Sequence, residues 1–100
     1  MKLMIAIINP AIYEGLTQRL ISKGFRITSQ STVGGFFQEG NKTIWSCMQD
    51  DEVQIAANII KEYTERVKLE RIKDLPDMSP PPQEGMATVF FLPVERQLSF

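Results

Sequence analysis

The chain has 100 residues, of which 43% are hydrophobic and 23% are charged, and its formal net charge at pH 7 is −1. This size fits a single compact domain spanning residues 1–100. A net charge this close to zero gives no sign of the basic surface with which proteins bind nucleic-acid polymers. No apolar run reaches the length needed to cross a membrane. With one cysteine, Cys47, the chain forms no internal disulfide, which suits a soluble protein of a reducing, cytoplasmic compartment.

The first half of the chain predicts a strand followed by a helix. Residues 3–8 are almost continuously apolar, as in a central strand covered on both faces. Asn9 and Pro10 predict a helix start, because asparagine caps helices and proline suits their first turn. Gly24 stands where a C-terminal glycine ends such a helix.

Residues 25–31 alternate between apolar and polar side chains, which predicts a second strand. The alternation places Arg26 and Thr28 together on one side, away from Phe25 and Ile27. This side of the strand therefore delivers polar groups to a surface.

The segment 32–42 is the first candidate ligand loop. It carries two adjacent glycines and two adjacent phenylalanines, and it closes on Gly40 and Asn41. A hairpin needs only two to five linking residues, so this connection is longer than folding requires. Amides of a glycine-rich loop can approach a phosphate or a base edge, and a phenylalanine ring can cover a base. A long turn with phenylalanines packed beneath it explains the same residues without any ligand.

The second half predicts a return strand over residues 43–48 and a second helix. Asp50 and Asp51 suit a helix start, with Gln54 completing a capping box from Asp51, and the helix is expected to end between residues 64 and 69. Charges of alternating sign over residues 61–73 indicate a solvated helix face. The predicted buried stripe of this helix consists of Val53, Ala56, Ala57, Ile60 and Val67.

Residues 70–85 are predicted to be a proline-rich loop without regular structure. Four prolines lie in it, three of them consecutive, and they remove backbone donors and restrict the chain. The prolines also allow a docking motif, although in a connecting loop they more often only restrict the unfolded chain. Residues 86–94 then predict the last strand, with Phe90 and Phe91 inside it.

The order of elements predicts an α+β, ferredoxin-like βαββαβ fold, with a four-stranded antiparallel sheet and two helices on one face. The third and fourth strands are apolar on both faces, including Trp45, Cys47, Phe90 and Phe91. A small monomer cannot easily bury both sets, so we expect self-association through the face that the helices leave open.

Several separated segments, in the right order, resemble the cyclic-di-AMP receptor family of PII-like signalling proteins. The segments are Phe25-Arg26-Ile27-Thr28, Thr32-Val33-Gly34-Gly35-Phe36, Gly40-Asn41-Lys42-Thr43 and, near the two ends of the chain, residues 1–7 and 87–95. The resemblance covers residues 1–66, is lost in the proline-rich loop and resumes near residue 86.

This resemblance implies a bacterial, non-enzymatic signal-transduction protein that assembles as a homotrimer. It implies that cyclic-di-AMP binds in clefts between subunits and that the loops then rearrange to contact a downstream protein, which the sequence does not identify. No cofactor is implied.

The resemblance carries the ligand contacts to specific positions of this chain. An arginine such as Arg26 can meet a phosphate, and the hydroxyl of Thr28 can donate a hydrogen bond. The Asn41 amide can both donate to and accept from an adenine edge. The implied ligand-binding residues are Arg26, Thr28, Gly35, Phe36, Asn41 and Cys47.

Three features depart from the family's pattern. Cys47 stands where the family usually has glycine beside the nucleotide, and Ser99 precedes Phe100 where glutamine is common. The loop before the last strand is shorter and richer in proline. A trimer that binds ATP or ADP, or an interaction scaffold without a small ligand, therefore remains an alternative.

Enzymes and metal-binding proteins fit the residue content poorly. The chain has no histidine, the most frequent general base and a frequent metal ligand. A trimeric metal-tolerance protein with a similar core would require soft ligands that one cysteine does not supply. Cys47 itself is predicted to lie in a strand, where a buried and inert thiol is the usual case.

Overall fold

The computed structural model describes residues 1–31, 40–74 and 86–100 of the chain, with the side chains of residue 31 and residues 71–74 excepted. In chain order the elements are β1 (Lys2–Ile8), α1 (Pro10–Ser22), β2 (Thr28–Ser31), β3 (Lys42–Met48), a 3-10 turn (Asp50–Glu52), α2 (Val53–Asp74) and β4 (Ala87–Pro93). The strands form one antiparallel sheet in the order β2-β3-β1-β4. This α+β arrangement agrees with the ferredoxin-like fold predicted from the sequence.

Both helices cover the same face of the sheet, which we call the helix face. Met4, Ala6 and Ile8 point from β1 toward the helices, and each is completely buried. Because side chains alternate along a strand, the residues between them point to the opposite side, the open face. The core includes helix residues that recur every three or four positions: Ile12, Leu16 and Leu20 of α1, and Ala56, Ile59 and Ile60 of α2.

Both ends of α1 are as predicted. The side chain of Asn9 accepts a hydrogen bond from the Ala11 amide at 2.8 Å, and Pro10 opens the helix. At the other end, Gly24 has a φ of 93°, which a residue with a Cβ rarely adopts. The Gly24 amide donates to Ile21 and the Phe25 amide donates to Leu20, so the last turn is closed by a Schellman motif.

The second strand is shorter than predicted, because it begins at Thr28 and not at residue 25. The amide of Phe25 is used by the cap of α1, and its side chain is buried in the core. Phe25 therefore completes the helix, and Arg26 lies in the connection before β2.

The second helix is longer than predicted and begins differently. It continues to Asp74, so residues 70–74 are helical and the predicted end between residues 64 and 69 is wrong. Proline disfavours helical geometry in the residue before it, and the first proline of the segment is Pro76, so nothing in residues 70–74 interrupts the helix. The remaining residues of the predicted proline-rich loop, 75–85, lie outside the described part.

The predicted capping box between Asp51 and Gln54 is also wrong. The Glu52 carboxylate instead accepts a hydrogen bond from the Gln49 amide at 2.9 Å. Gln54 lies within the helix, where its side chain donates to Asn58 at 2.9 Å. A 3-10 turn at the start of the helix moves the cap to Gln49.

Candidate ligand-binding site

An open groove of about 400 Å³ lies at one end of the open face, where β1 begins and β3 ends. The register places Cys47 opposite Leu3, and Trp45 opposite both Ile5 and Thr28. Leu3, Trp45 and Cys47 therefore belong to one face, with Thr28 beside them at the sheet edge. The lining residues are Met1, Leu3, Arg26, Thr28, Trp45, Ser46, Cys47, Met48, Gln49, Glu52 and Gln97.

Three of the predicted site residues meet in this groove: Arg26, Thr28 and Cys47. The side chains of all three are exposed. The guanidinium of Arg26 presents a fixed positive charge with five donors, and the Thr28 hydroxyl adds a donor and an acceptor. The expectation of a buried cysteine is wrong, because Cys47 lies on β3 with its thiol exposed on the open face of the sheet.

The other charged groups of the groove partly offset one another. The amino group of Met1 donates to the Asp50 carboxylate at 3.0 Å. This hydrogen bond and the charge of the amino group, with a smaller contribution from Lys2, lower the pKa of Asp50. The Glu52 carboxylate lines the groove and is engaged by the Gln49 amide. Among the described lining residues, Arg26 is therefore the cationic side chain that an anion would meet.

The fourth described site residue, Asn41, lies at the opposite end of β3 from Cys47. Cys47 is six positions after Asn41 along the extended chain, which corresponds to about 20 Å at the usual rise of a strand. Asn41 follows Gly40, whose φ is 92°, and its side chain is half-buried. Within one chain, Asn41 and the groove therefore form two separate parts.

Gly35 and Phe36 lie outside the described residues, as does most of the predicted ligand loop. Of the segment 32–42, the structure describes Gly40, Asn41 and the first residue of β3, Lys42.

Several residues that line the groove were not predicted from the sequence to belong to a site. Leu3 and Trp45 had a usable signal, since period-two alternation along β1 and β3 assigns them to the same face as Cys47. Gln97 had none, because it follows the last strand and reaches the groove only through the path of the terminal segment. The Val94 amide donates to the Met1 carbonyl at 3.1 Å, which holds the start of that segment beside the first residue.

Metal ligands and membrane spans were also considered for the described part of the chain. Among the residues that the structure describes, no three histidine, cysteine, aspartate or glutamate side chains are grouped so that they could hold a metal ion. Neither described helix combines the length and the apolar character needed to cross a membrane.

Comparison with known proteins identifies the family. A crystal structure of a protein of unknown function from Pediococcus pentosaceus is similar to this chain, with a TM-score of 0.72 and 29% sequence identity. The similarity covers 99% of this chain and 96% of the other. The family model of the cyclic-di-AMP receptors matches residues 1–100, the whole length of the chain. The chain therefore belongs to the cyclic-di-AMP receptor family.

Proposed function

We propose that this protein is a non-enzymatic sensor of cyclic-di-AMP that acts as a homotrimer and signals to a downstream protein. The observation that carries the proposal is the family match over the whole chain. Receptor families bind and signal, and cyclic-di-AMP is the ligand that this family's description gives.

The groove supplies chemistry that suits such a ligand. Cyclic-di-AMP carries two phosphates and two adenines, so it needs cationic donors and flat apolar contacts. Arg26 offers the charge, Thr28 offers a hydroxyl, and Trp45 offers an aromatic surface. In this proposal Gly35 and Phe36 add amide donors and a second ring.

The separation of the two parts of the site supports a binding cleft between subunits. Asn41 lies about 20 Å along β3 from Cys47, as judged from the rise of a strand. We infer that a neighbouring subunit closes the gap, so that the groove of one subunit and Asn41 of another contact one ligand. Self-association through the open face would bring such parts together, and rearrangement of the loops on binding would present a new surface to the partner protein.

A thermal-shift screen of the full chain tests the proposal. Cyclic-di-AMP is expected to raise the melting temperature in a saturable manner, because a ligand that binds only the folded state stabilises it by mass action. Cyclic-di-GMP, ATP and ADP serve as comparisons. A larger shift with ATP or ADP would favour a different nucleotide sensor, and no shift with any of the four would favour the scaffold.

A further inference from the structure

A side chain at the start of β3 contacts a ring on α1, and the proposed function does not use this contact. The ammonium group of Lys42 lies 4.4 Å from the centroid of the Tyr13 ring, within the range of a cation–π interaction. Tyr13 belongs to α1 and packs against the hydrophobic core, so its ring has a fixed position. Lys42 pairs with Ile8 in the sheet and shares the helix face with it.

Gly40, the residue before Asn41, lies close to the first residue of α1. Gly40 has a φ of 92°, and a Cβ placed on it would lie 3.8 Å from Cγ of Pro10, in ordinary van der Waals contact. Asn41 therefore lies between a backbone turn at Gly40 and the side-chain contact of Lys42 with Tyr13. Since neighbouring side chains of an extended chain point to opposite sides, holding Lys42 toward the helices favours an Asn41 directed to the open face.

We propose that Tyr13 and Lys42 are positioning residues that set the orientation of Asn41 for the nucleotide. The inference rests on the proposed function. Neither residue needs to touch the ligand. The contact reduces the number of conformations open to residues 40–42 in the free protein, so that binding costs less ordering.

Calorimetric titration with cyclic-di-AMP tests this role in the full-length protein. Tyr13→Leu removes the ring and Lys42→Met removes the charge, and each is expected to raise Kd about two- to fivefold, the range set by an exposed cation–π contact. Tyr13→Phe keeps the ring and should bind as the wild type does. Arg66→Met is the matched control, because Arg66 lies 5.6 Å from the ring of Tyr63 in a similar pair on α2.

A double variant links the effect to Asn41. In an Asn41→Ala background, Tyr13→Leu should cause no further loss of affinity, because there is no amide left to position. If the losses instead multiply, the two residues act independently of Asn41 and the proposal is wrong. Tyr13 packs against the core, so each variant is first checked for its melting temperature, and Lys42→Met provides the test if Tyr13→Leu does not fold.

Further outcomes separate this inference from the proposed function. If the wild type binds cyclic-di-AMP, and Tyr13→Leu and Lys42→Met both bind it with the same Kd, the positioning role alone is overturned. Loss of affinity in Lys42→Met without loss in Tyr13→Leu would show that the lysine touches the ligand directly. Failure of the wild type to bind cyclic-di-AMP would contradict the proposed function and the positioning role with it.

Discussion

At the scale of single residues, Cys47 would limit how closely the proposed ligand approaches the sheet. It lies on β3 with an exposed thiol that lines the groove, at a position where the family resemblance leads one to expect glycine. A glycine there would let a base or sugar contact the backbone. The thiol instead occupies that space beside Leu3, its partner in the register.

We predict that Cys47→Gly tightens the binding of cyclic-di-AMP and lowers the stability of the free protein. Loss of the thiol removes crowding, while glycine in a strand costs about 0.5–1 kcal/mol in backbone entropy. Calorimetry of the folded protein reports the first effect and the melting temperature without ligand reports the second. A weaker affinity in the variant would identify the thiol as a favourable contact.

Ser46 supplies a second prediction, on the helix face of the same strand. Its side chain is buried, and its hydroxyl finds no hydrogen-bond partner within the described part of the chain. A buried hydroxyl without a partner is costly, so Ser46→Ala should raise the free energy of unfolding by about 1 kcal/mol. Urea denaturation measures the change. A decrease in stability would mean that the hydroxyl is hydrogen-bonded in solution.

At the scale of secondary-structure elements, the two helices meet where α1 has no side chain. A Cβ built on Gly15 would overlap the phenol hydroxyl of Tyr63 on α2. Gly15 therefore gives Tyr63 its place between the helices, at the cost of a glycine inside a helix.

Because of this close approach, we predict that the effect of Gly15→Ala on stability depends on the side chain at position 63. In the wild type, displacement of Tyr63 should outweigh the gain in helix propensity, which is about 1 kcal/mol, and the protein should become less stable. In a Tyr63→Leu background the overlap disappears, so the same substitution should stabilise the protein. Denaturant unfolding of the four proteins measures both steps. Stabilisation by Gly15→Ala alone would show that Tyr63 moves aside without cost.

The elements also show what the sequence can and cannot predict. The ends of α1 were predicted correctly because Asn9, Pro10 and Gly24 carry local signals for capping. The start of β2 was not, because the amide of Phe25 serves a helix cap, and alternation alone does not show where strand pairing begins.

The candidate site was predictable to the extent that it follows the pleat of the sheet. Alternation grouped Arg26 with Thr28, and both line the groove with Cys47. The separation of Asn41 from Cys47 was predictable too, because the two lie at opposite ends of one strand. The position of Thr28 opposite Trp45 depends on the register between strands, which no single segment encodes. Gln97 depends on the path of the chain after β4, which carries no periodic pattern.

At the scale of the whole molecule, the open face of the sheet exposes large apolar side chains in the single chain. Phe90 and Leu92 of β4 remain 48% and 44% exposed on it. In the register Phe90 lies opposite Ile5, and Leu92 lies opposite Leu3, so the two extend the apolar rows of β1 and β3. A contiguous apolar surface of this kind is typical of an interface between subunits.

We therefore predict a trimer in solution in the absence of ligand, measured by light scattering at micromolar concentration. Phe90→Glu should shift the protein toward the monomer, because a carboxylate would be buried in the interface. Ile55→Glu is the matched control, since Ile55 is 53% exposed on α2, away from the open face. A monomeric wild type, or equal behaviour of the two variants, would contradict assembly through this face.

Calorimetric titration of the intact protein with cyclic-di-AMP tests the central claim most directly. The account predicts saturable binding of one cyclic-di-AMP per chain. Arg26→Met should weaken this binding strongly, because it removes the guanidinium of the groove, while Arg19→Met in the last turn of α1 should leave it unchanged. Absence of saturable binding, or equal affinity of the two arginine variants, would contradict the assignment of this groove as the cyclic-di-AMP site.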